Sequence, residues 1–337
     1  MVGMRRLRRG WFPMALIAFF ATLPVSANPP TLEDFLGVMK LSKQDIERAR
    51  AGEIITGTRK SSHDRELVAT MAFKVPNAQP DELVVRGEGG LLDEVDEQTI
   101  TFAILPANPD LASFESLQLR PGDIKQFSRA KAGDDLNLSK AEIDALQKLG
   151  KNPEAVQVEE VVHAALLDRV RTYKAGGLVG IAPYQRSGSE FRSPAEDLKK
   201  ASLAAQFIHD VAPTAYKVLL EYPDAMPEGA QETYRWSYLE ANGEPTIALT
   251  HNLYLPEGEV WIVFQRQFYV SEGYNCEQAI AAFVPVSDGT AVFYINRTST
   301  DQVSGFGGGA KRSIGSKLLA SQLEKLYSKV SSAVEAE

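Results

Sequence analysis

Residues 233–270, TYRWSYLEANGEPTIALTHNLYLPEGEVWIVFQRQFYV, decide the fold of this chain. β-Branched and aromatic residues fill three runs of strand length, and two further runs follow at residues 279–286 and 291–296. The turn residues between the runs are Asn242-Gly243, Pro256-Glu257-Gly258 and Asp288-Gly289. Asn-Gly and Asp-Gly favour the positive φ angles that tight hairpins require. The sequence therefore predicts an antiparallel β-meander over about residues 231–297.

Helical periodicity flanks this meander on both sides. After it, apolar residues at helical spacing predict a long amphipathic helix over about residues 310–334. Before it, capping patterns at Ser139 and Ser193 open helices in a helical insertion of about residues 131–222. The helix that begins after Ser193 is expected to reach about Asp210. The residues expected along the apolar side of the C-terminal helix are Ile314, Leu318, Leu319, Leu323, Leu326 and Val330.

The N-terminal part completes the pattern. Residues 28–60 form a mostly helical segment, and Leu67–Val75 and Thr99–Leu105 have the composition of strands. Strands, then helices, then a meander and a long helix are the order of an α+β fold. We expect one α+β domain over residues 61–337. In it, a curved antiparallel sheet is closed by the long C-terminal helix and carries the helical insertion in its middle.

The order of elements in residues 61–130 and 223–337 resembles the helix-grip fold of START-like (SRPBCC) proteins. These are lipid-transfer and ligand-binding proteins. The resemblance implies a cavity between the curved sheet and the terminal helix. Residues 131–222 would then be an insertion into that fold.

The first 27 residues have the three parts of a secretory signal peptide. Arg5, Arg6, Arg8 and Arg9 form a basic region, Trp11–Leu23 an apolar run, and Val25-Ser26-Ala27 a small-residue cleavage site. The apolar run is shorter than the roughly 20 residues that a bilayer-spanning helix needs. We therefore expect cleavage and export to the periplasm or beyond, and no integral membrane segment afterwards. Retention of the leader as an anchor is the alternative.

Charge and cysteine content exclude several classes of function. Cleavage would remove four arginines and no acid, which changes the net charge from −8 to −12. So acidic a chain is a poor candidate for binding nucleic acid or anionic lipid surfaces. Cys276 is the only cysteine, so the chain can form no internal disulfide.

Several short motifs resemble a group of uncharacterised exported bacterial proteins. The group often has a cysteine pair around an Arg-Pro-Gly-Asp turn, whereas this chain keeps Arg120-Pro121-Gly122-Asp123 without cysteines. The resemblance implies a bacterial, periplasmic setting and no particular activity. The matching residues are Tyr173, Trp236-Ser237, Thr250-His251, Gln267-Phe268-Tyr269, Asn296-Arg297-Thr298 with Asp301, and Gly308-Gly309-Ala310-Lys311-Arg312.

Arg266 is the most unusual residue of the meander. It shares one face of its strand with Ile262, Phe264 and Phe268, and a charge on an apolar face is costly unless it is paired. Either Arg266 points into a cavity and binds the head group of a ligand, or it meets a carboxylate inside the protein.

Three aromatic residues and a histidine are further candidates for a ligand pocket. Tyr234, Trp236 and Tyr238 alternate onto one face of their strand, where they line a pocket or belong to a plain core. His251 is the best candidate for a polar group in that cavity, and a hydrogen-bonded core histidine is the alternative. The four histidines lack metal-ligand spacing, and neither a metal nor a cofactor motif is present.

Arg297 lies where the last strand leaves the sheet. An ion pair with Asp301 that holds the strand-to-helix turn is the favoured interpretation, and contact with a ligand carboxylate or phosphate is the alternative. The glycine run at residues 305–309 lacks the spacing of a phosphate-binding loop and is interpreted as a hinge before the helix.

These features favour an exported binding or carrier protein for a lipid-like or other apolar small molecule. Its tentative ligand residues are Arg266, His251, Tyr234, Trp236, Tyr238 and Arg297. An envelope interaction or scaffold protein, docking through the helical insertion and without a ligand, is the second hypothesis. A hydrolase is the third, because no catalytic motif is visible and Cys276 has no recognisable base beside it.

Overall fold

The computed structural model describes residues 30–133, 135–241 and 243–335, and it shows an α+β fold with one large antiparallel sheet. The strands are β1 (Ile55–Thr58), β2 (Glu66–Pro76), β3 (Thr99–Leu105), β4 (Tyr184–Gln185), β5 (Phe191–Arg192), β6 (Gln231–Ala241), β7 (Glu244–Glu257), β8 (Val260–Val270), β9 (Cys276–Val286) and β10 (Gly289–Ser299). The five-strand meander is confirmed, because β6 to β10 pair in sequence order.

Eleven α-helices surround the sheet in the described ranges. They are α1 (Leu32–Met39), α2 (Lys43–Arg50), α3 (Pro80–Gly89), α4 (Leu91–Val95), α5 (Pro121–Ser128), α6 (Lys140–Gln147), α7 (Ala155–Gly176), α8 (Pro194–Leu203), α9 (Phe207–Val211), α10 (Pro213–Glu221) and α11 (Gly308–Glu335). Ser139 and Ser193 accept the N-cap hydrogen bonds that the sequence predicts for α6 and α8, and Ser42 caps α2 in the same way.

The main sheet has eight strands in the order β1-β2-β10-β9-β8-β7-β6-β3. β2 lies antiparallel to β10, and β3 lies antiparallel to β6, so the N-terminal strands extend the meander at both ends. β1 and β3 are free edges and do not pair with each other. The sheet is therefore open, and α11 packs on one face of it instead of completing a closed barrel.

Side chains alternate between two buried faces of this sheet. The terminal-helix face packs against α3, α4 and α11, and its apolar residues include Met71, Phe73, Val75, Val263, Ala279, Ala281, Val292 and Tyr294. The insertion face packs against α1 and α5 to α10, and its apolar residues include Val68, Ala72, Trp236, Leu249, Leu253, Ile262, Phe264, Ile280, Phe293 and Ile295. A helical layer thus covers each face.

The long C-terminal helix is confirmed, and so is part of its expected apolar side: Val330 is buried and Leu323 packs against the core, whereas the first half of the helix buries a different side. Ile314 and Leu318 are 61% and 62% exposed. The buried residues are Ser316, Ala320, Tyr327, Val330 and Val334, with Leu323 packed against them. The contact face is thus rotated toward smaller residues, because Gly315 and Ser316 let the helix approach β2 closely: a Cβ at Gly315 would lie 2.8 Å from Leu67, and Ser316 Oγ accepts the Val68 N–H at 3.0 Å.

The helix predicted from Ser193 to about Asp210 is interrupted. α8 ends at Leu203, a turn occupies residues 204–206, and α9 follows. The backbone N–H groups of Ala205 and Ile208 bond to carbonyls three residues back, which breaks the α-helical pattern. No glycine or proline lies between Pro194 and Pro213, so the sequence contains no local signal for this break.

The N-terminal segment is part of the core. Phe35 of α1 stacks on Phe293 of β10 with ring centroids 5.6 Å apart, and β1 belongs to the main sheet. The predicted signal peptide, residues 1–27, lies outside the described residues. Among the residues that are described, no helix combines the length and the apolar character needed to cross a bilayer.

Candidate functional site

A cavity lies between the terminal-helix face of the sheet and α3, α4 and α11. Its volume is about 80 Å³. One buried water needs at least about 10–15 Å³, so the cavity has room for more than a single water molecule. Its apolar lining residues are Phe73, Val75, Leu83, Leu91, Leu92, Val263, Ala279, Ala281, Phe283, Val292 and Val330.

One end of this cavity is polar, and the strand register explains why. Val263 of β8 lies between Tyr254 of β7 and Ala281 of β9, in a mostly apolar row across the sheet. The next row on the same face runs from Asn252 through Gln265 to Ala279. The lining therefore changes from apolar to polar along the strand direction. The polar and phenolic lining residues are Arg235, Asn252, Tyr254, Gln265, Tyr294 and Tyr327.

Arg235 of β6 is the charged group at the polar end. Only 4% of this residue is exposed, and its Nε lies 2.9 Å from Oδ2 of Asp93 in α4. The contact is an ion pair without a hydrogen bond, because neither atom has a hydrogen-bond partner among the described residues. The Ser237 hydroxyl donates to the other oxygen of Asp93 at 2.5 Å. Burial raises the pKa of the neighbouring Tyr254 to about 12, although the charge of Arg235 acts in the opposite direction.

The six residues singled out in the sequence lie elsewhere. Arg266, His251, Tyr234, Trp236, Tyr238 and Arg297 are buried, and none belongs to the described residues that line the cavity. Tyr234, Trp236, His251 and Arg266 point to the insertion face, where α7 and α10 cover them.

Arg266 is the centre of a buried hydrogen-bond network on that face. Its guanidinium donates to Gln278 Oε1 at 2.9 Å, to the Leu219 carbonyl at 3.1 Å and to the Tyr173 hydroxyl at 3.2 Å. Contrary to one sequence-based alternative, no described carboxylate lies within ion-pair distance of Arg266. Uncharged acceptors and one hydrogen-bonded chain compensate its charge.

That chain leads from Arg266 to Glu232 at the surface. Tyr173 Oη lies 3.1 Å from His251 Nδ1, and His251 Nε2 lies 3.2 Å from Glu232 Oε2. An ionised Glu232 can only accept, so Nε2 carries the proton and Nδ1 accepts the Tyr173 hydroxyl. Every hydrogen bond then points from the buried arginine toward the carboxylate, which polarises the chain in the direction that both charges favour.

Burial and hydrogen bonding shift the titration of this chain. Burial lowers the pKa of His251 to about 4, although the Glu232 hydrogen bond acts in the opposite direction. The hydrogen bond from His251 lowers the pKa of Glu232. His251 is therefore neutral at physiological pH. His251 and Tyr173 lie on the insertion face, on the opposite side of the sheet from the cavity.

The three aromatic candidates have intramolecular partners. Trp236 Nε1 donates to the Ser113 carbonyl at 2.9 Å, Tyr238 donates to Asp123 of α5, and Tyr234 bonds to the Tyr222 hydroxyl. His251 stacks on Tyr234 with centroids 4.3 Å apart. The polar atoms of all three side chains are hydrogen-bonded within the protein, as is usual for aromatic residues of a core.

Arg297 has a different partner from the expected one. Its Nη1 donates to Glu66 Oε2 of β2 at 2.9 Å, and both side chains are at least nine-tenths buried. Asp301 meets Arg192 at 2.9 Å, with Arg186 and Arg65 at 3.6 and 3.7 Å. The predicted Arg297–Asp301 pair is therefore wrong. Because β10 pairs with β2, Glu66 lies closer to Arg297 than Asp301 does.

Cys276 is a buried residue at the start of β9. It is 2% exposed, and burial raises the pKa of its thiol well above the ordinary value. A thiol held in its protonated form is a poor nucleophile. No three or more His, Cys, Asp or Glu residues cluster as metal ligands in the part of the chain that the structure describes.

Glu277 lies on the terminal-helix face, one row beyond the polar end of the cavity. It pairs with Gln267 and Thr298 across the sheet and accepts the Thr298 hydroxyl at 3.1 Å. Burial raises the pKa of its carboxyl. The folded state therefore favours the protonated acid, and stability is lost as the pH rises from the ordinary glutamate range through this raised pKa.

Glu277→Gln should stabilise the protein at pH 8 and have little effect at pH 4, because glutamine removes the ionisation but keeps an acceptor for Thr298. Urea unfolding at several pH values measures the difference. Glu324→Gln, the same change at an exposed position of α11, is the control. A gain at Glu277 that is independent of pH would contradict this explanation.

The polar lining residues are not among the predicted site residues, although the sequence contains a signal for them. Arg235, Asn252 and Gln265 interrupt the strand runs as Arg266 does, but they point to the other face. A polar residue inside a strand run marks a costly position on whichever face is buried, and here both faces are buried.

No protein-family model, curated protein or solved structure matches this chain.

Proposed function

We propose that this protein is an exported binding protein that holds a small, largely apolar molecule between its sheet and α11. The observation that carries the proposal is the cavity, with apolar walls from four strands and three helices and a few polar groups converging at one end. Ligand sites commonly have this composition. In this proposal α11 closes the cavity as the terminal helix of a START-like helix-grip fold does. Export rests on the features of the leader sequence.

Binding is favoured over a scaffold role by the packing of the helical insertion. Ile143, Leu146, Val158, Val162 and Leu166 of this region lie in the main hydrophobic core together with strands of the sheet. The insertion therefore uses most of its large apolar side chains to complete the fold, although Val179 and Phe191 are exposed. This supports binding over a scaffold role.

Native mass spectrometry tests the proposal directly. Protein exported with its own leader and purified without detergent should carry a discrete added mass that denaturation releases. Ala281→Leu, which adds three carbons inside the cavity, should abolish the added mass because little free volume remains. Ala310→Leu, the same change at an exposed position of α11, should retain it.

Thermal unfolding shows whether Ala281→Leu is folded, and added hexanoate or hexanol shows whether empty protein can bind. An unliganded mass together with no thermal shift from either compound would overturn the proposal. Retention of the ligand by a folded Ala281→Leu variant would place the ligand elsewhere.

A further inference from the structure

The guanidinium of Arg235 has unused donors at the cavity. Arginine has five N–H groups and normally satisfies them when it is buried. Arg235 is 4% exposed, lines the cavity and donates no hydrogen bond to a described residue. Its one charged contact is the 2.9 Å approach of Nε to Asp93. The terminal nitrogens are therefore available to an acceptor inside the cavity.

The amides beside Arg235 are also lightly used. The Gln265 side chain makes no hydrogen bond to a described residue, and Asn252 Nδ2 has only a 3.4 Å contact with Thr233 Oγ1. Amides can donate as well as accept, whereas a guanidinium can only donate. The polar end of the cavity therefore offers an excess of donors, which fits a ligand group with acceptor oxygens and disfavours an amine.

The planar fork of arginine matches the two oxygens of a carboxylate better than a single hydroxyl oxygen. Asp93 neutralises the charge of Arg235 and accepts the Ser237 hydroxyl with its other oxygen. Arg235 can therefore bridge Asp93 and a second carboxylate. The volume of the cavity limits the rest of the ligand to a short apolar tail.

We infer that the cavity binds a small amphipathic carboxylate, with the carboxylate at Arg235 and the apolar tail between the sheet and α11. This inference rests on the proposed function and adds the chemical class of the ligand. Phe73, Phe283 and Val292 then contact the tail, while Asn252 and Gln265 flank the head group.

Calorimetric titration of the mature protein with hexanoate, methyl hexanoate and 1-hexanol at pH 7.5 tests the inference. The three compounds share a tail of similar length and differ in the charge and oxygens of the head. Hexanoate should bind about ten- to a hundred-fold more tightly than the other two, the range expected of a charge-assisted hydrogen bond. Equal affinities would overturn the carboxylate assignment and leave the binding function intact.

The double variant Arg235→Gln/Asp93→Asn removes both charges, so no buried charge is left unpaired. In this variant hexanoate should lose its preference and bind no more tightly than 1-hexanol does. Preferential binding of hexanoate that survives in the folded variant would place the head group elsewhere. If the variant does not fold, the three-compound comparison on the natural chain decides alone. Absence of binding by all three compounds would count against the proposed function itself.

Discussion

Arg266→Ala is expected to lower the free energy of unfolding by about 3–5 kcal/mol, because it removes several buried hydrogen bonds and truncates a large buried side chain. The guanidinium is 3% exposed and satisfies Gln278, Tyr173 and the carbonyl of Leu219. Truncation removes a donor from each of these groups and opens a cavity in the main core. Urea unfolding followed by tryptophan fluorescence measures the change.

Arg50→Ala is the matched control, because Arg50 is 65% exposed and bonds only to Glu47 on the same helix. Its effect should stay within about 0.5 kcal/mol. The ligand affinity of folded Arg266→Ala should equal that of the natural chain, because Arg266 faces away from the cavity. Normal stability combined with lost ligand would instead support the sequence-based alternative, in which Arg266 binds the head group.

Acidification is expected to destabilise the protein by roughly 3 kcal/mol through His251 alone, since a pKa difference of one unit corresponds to about 1.4 kcal/mol. The pKa of His251 falls from the ordinary 6.5 to about 4 in the folded state. Between pH 6.5 and 4, His251 therefore binds a proton in the unfolded chain but not in the folded protein. Stability is fully present above pH 6.5 and is lost as the pH falls toward 4. Glu232 adds a further loss at lower pH, below the ordinary glutamate pKa of 4.5, because the His251 hydrogen bond lowers its pKa.

His251→Gln should reduce the dependence of stability on pH between 6.5 and 4, because glutamine does not titrate there. A smaller dependence remains, because burial also lowers the pKa of His63. Denaturant unfolding at half-unit pH intervals measures the two curves. His209→Gln, at a histidine whose side chain is 60% exposed, should leave the curve of the natural chain unchanged. Parallel curves for the natural chain and His251→Gln would contradict the assignment of this loss to His251.

The two faces of the sheet thus have different roles. The insertion face contains the charged network of Arg266 and Glu232, which is satisfied within the protein. The terminal-helix face contains a cavity and a guanidinium with free donors.

A deletion of residues 139–210 would remove part of the main core, so it is expected to unfold the protein. Such a deletion therefore cannot separate ligand binding from partner binding.

Most elements and their order can be predicted from the amino-acid sequence, apart from the break between α8 and α9. Thr99–Leu105 is predicted with the bounds that the structure has, and the caps at Ser139 and Ser193 are confirmed. Strand alternation, turn residues and caps act over a few neighbouring residues, so they can be read locally. The adjacency of β6 to β10 also followed, because short hairpins leave little choice of partner.

The face of each strand that lines the cavity can be identified only from the tertiary structure. Alternation places Arg235 and Arg266 on opposite faces, but both faces are buried, and the helices that cover them come from distant parts of the chain. The same reason explains Arg297, whose partner Glu66 lies 231 residues away, and Ile314, which the rotation of α11 leaves exposed. Local patterns specify elements, whereas packing between distant elements determines which polar groups are satisfied and which remain free for a ligand.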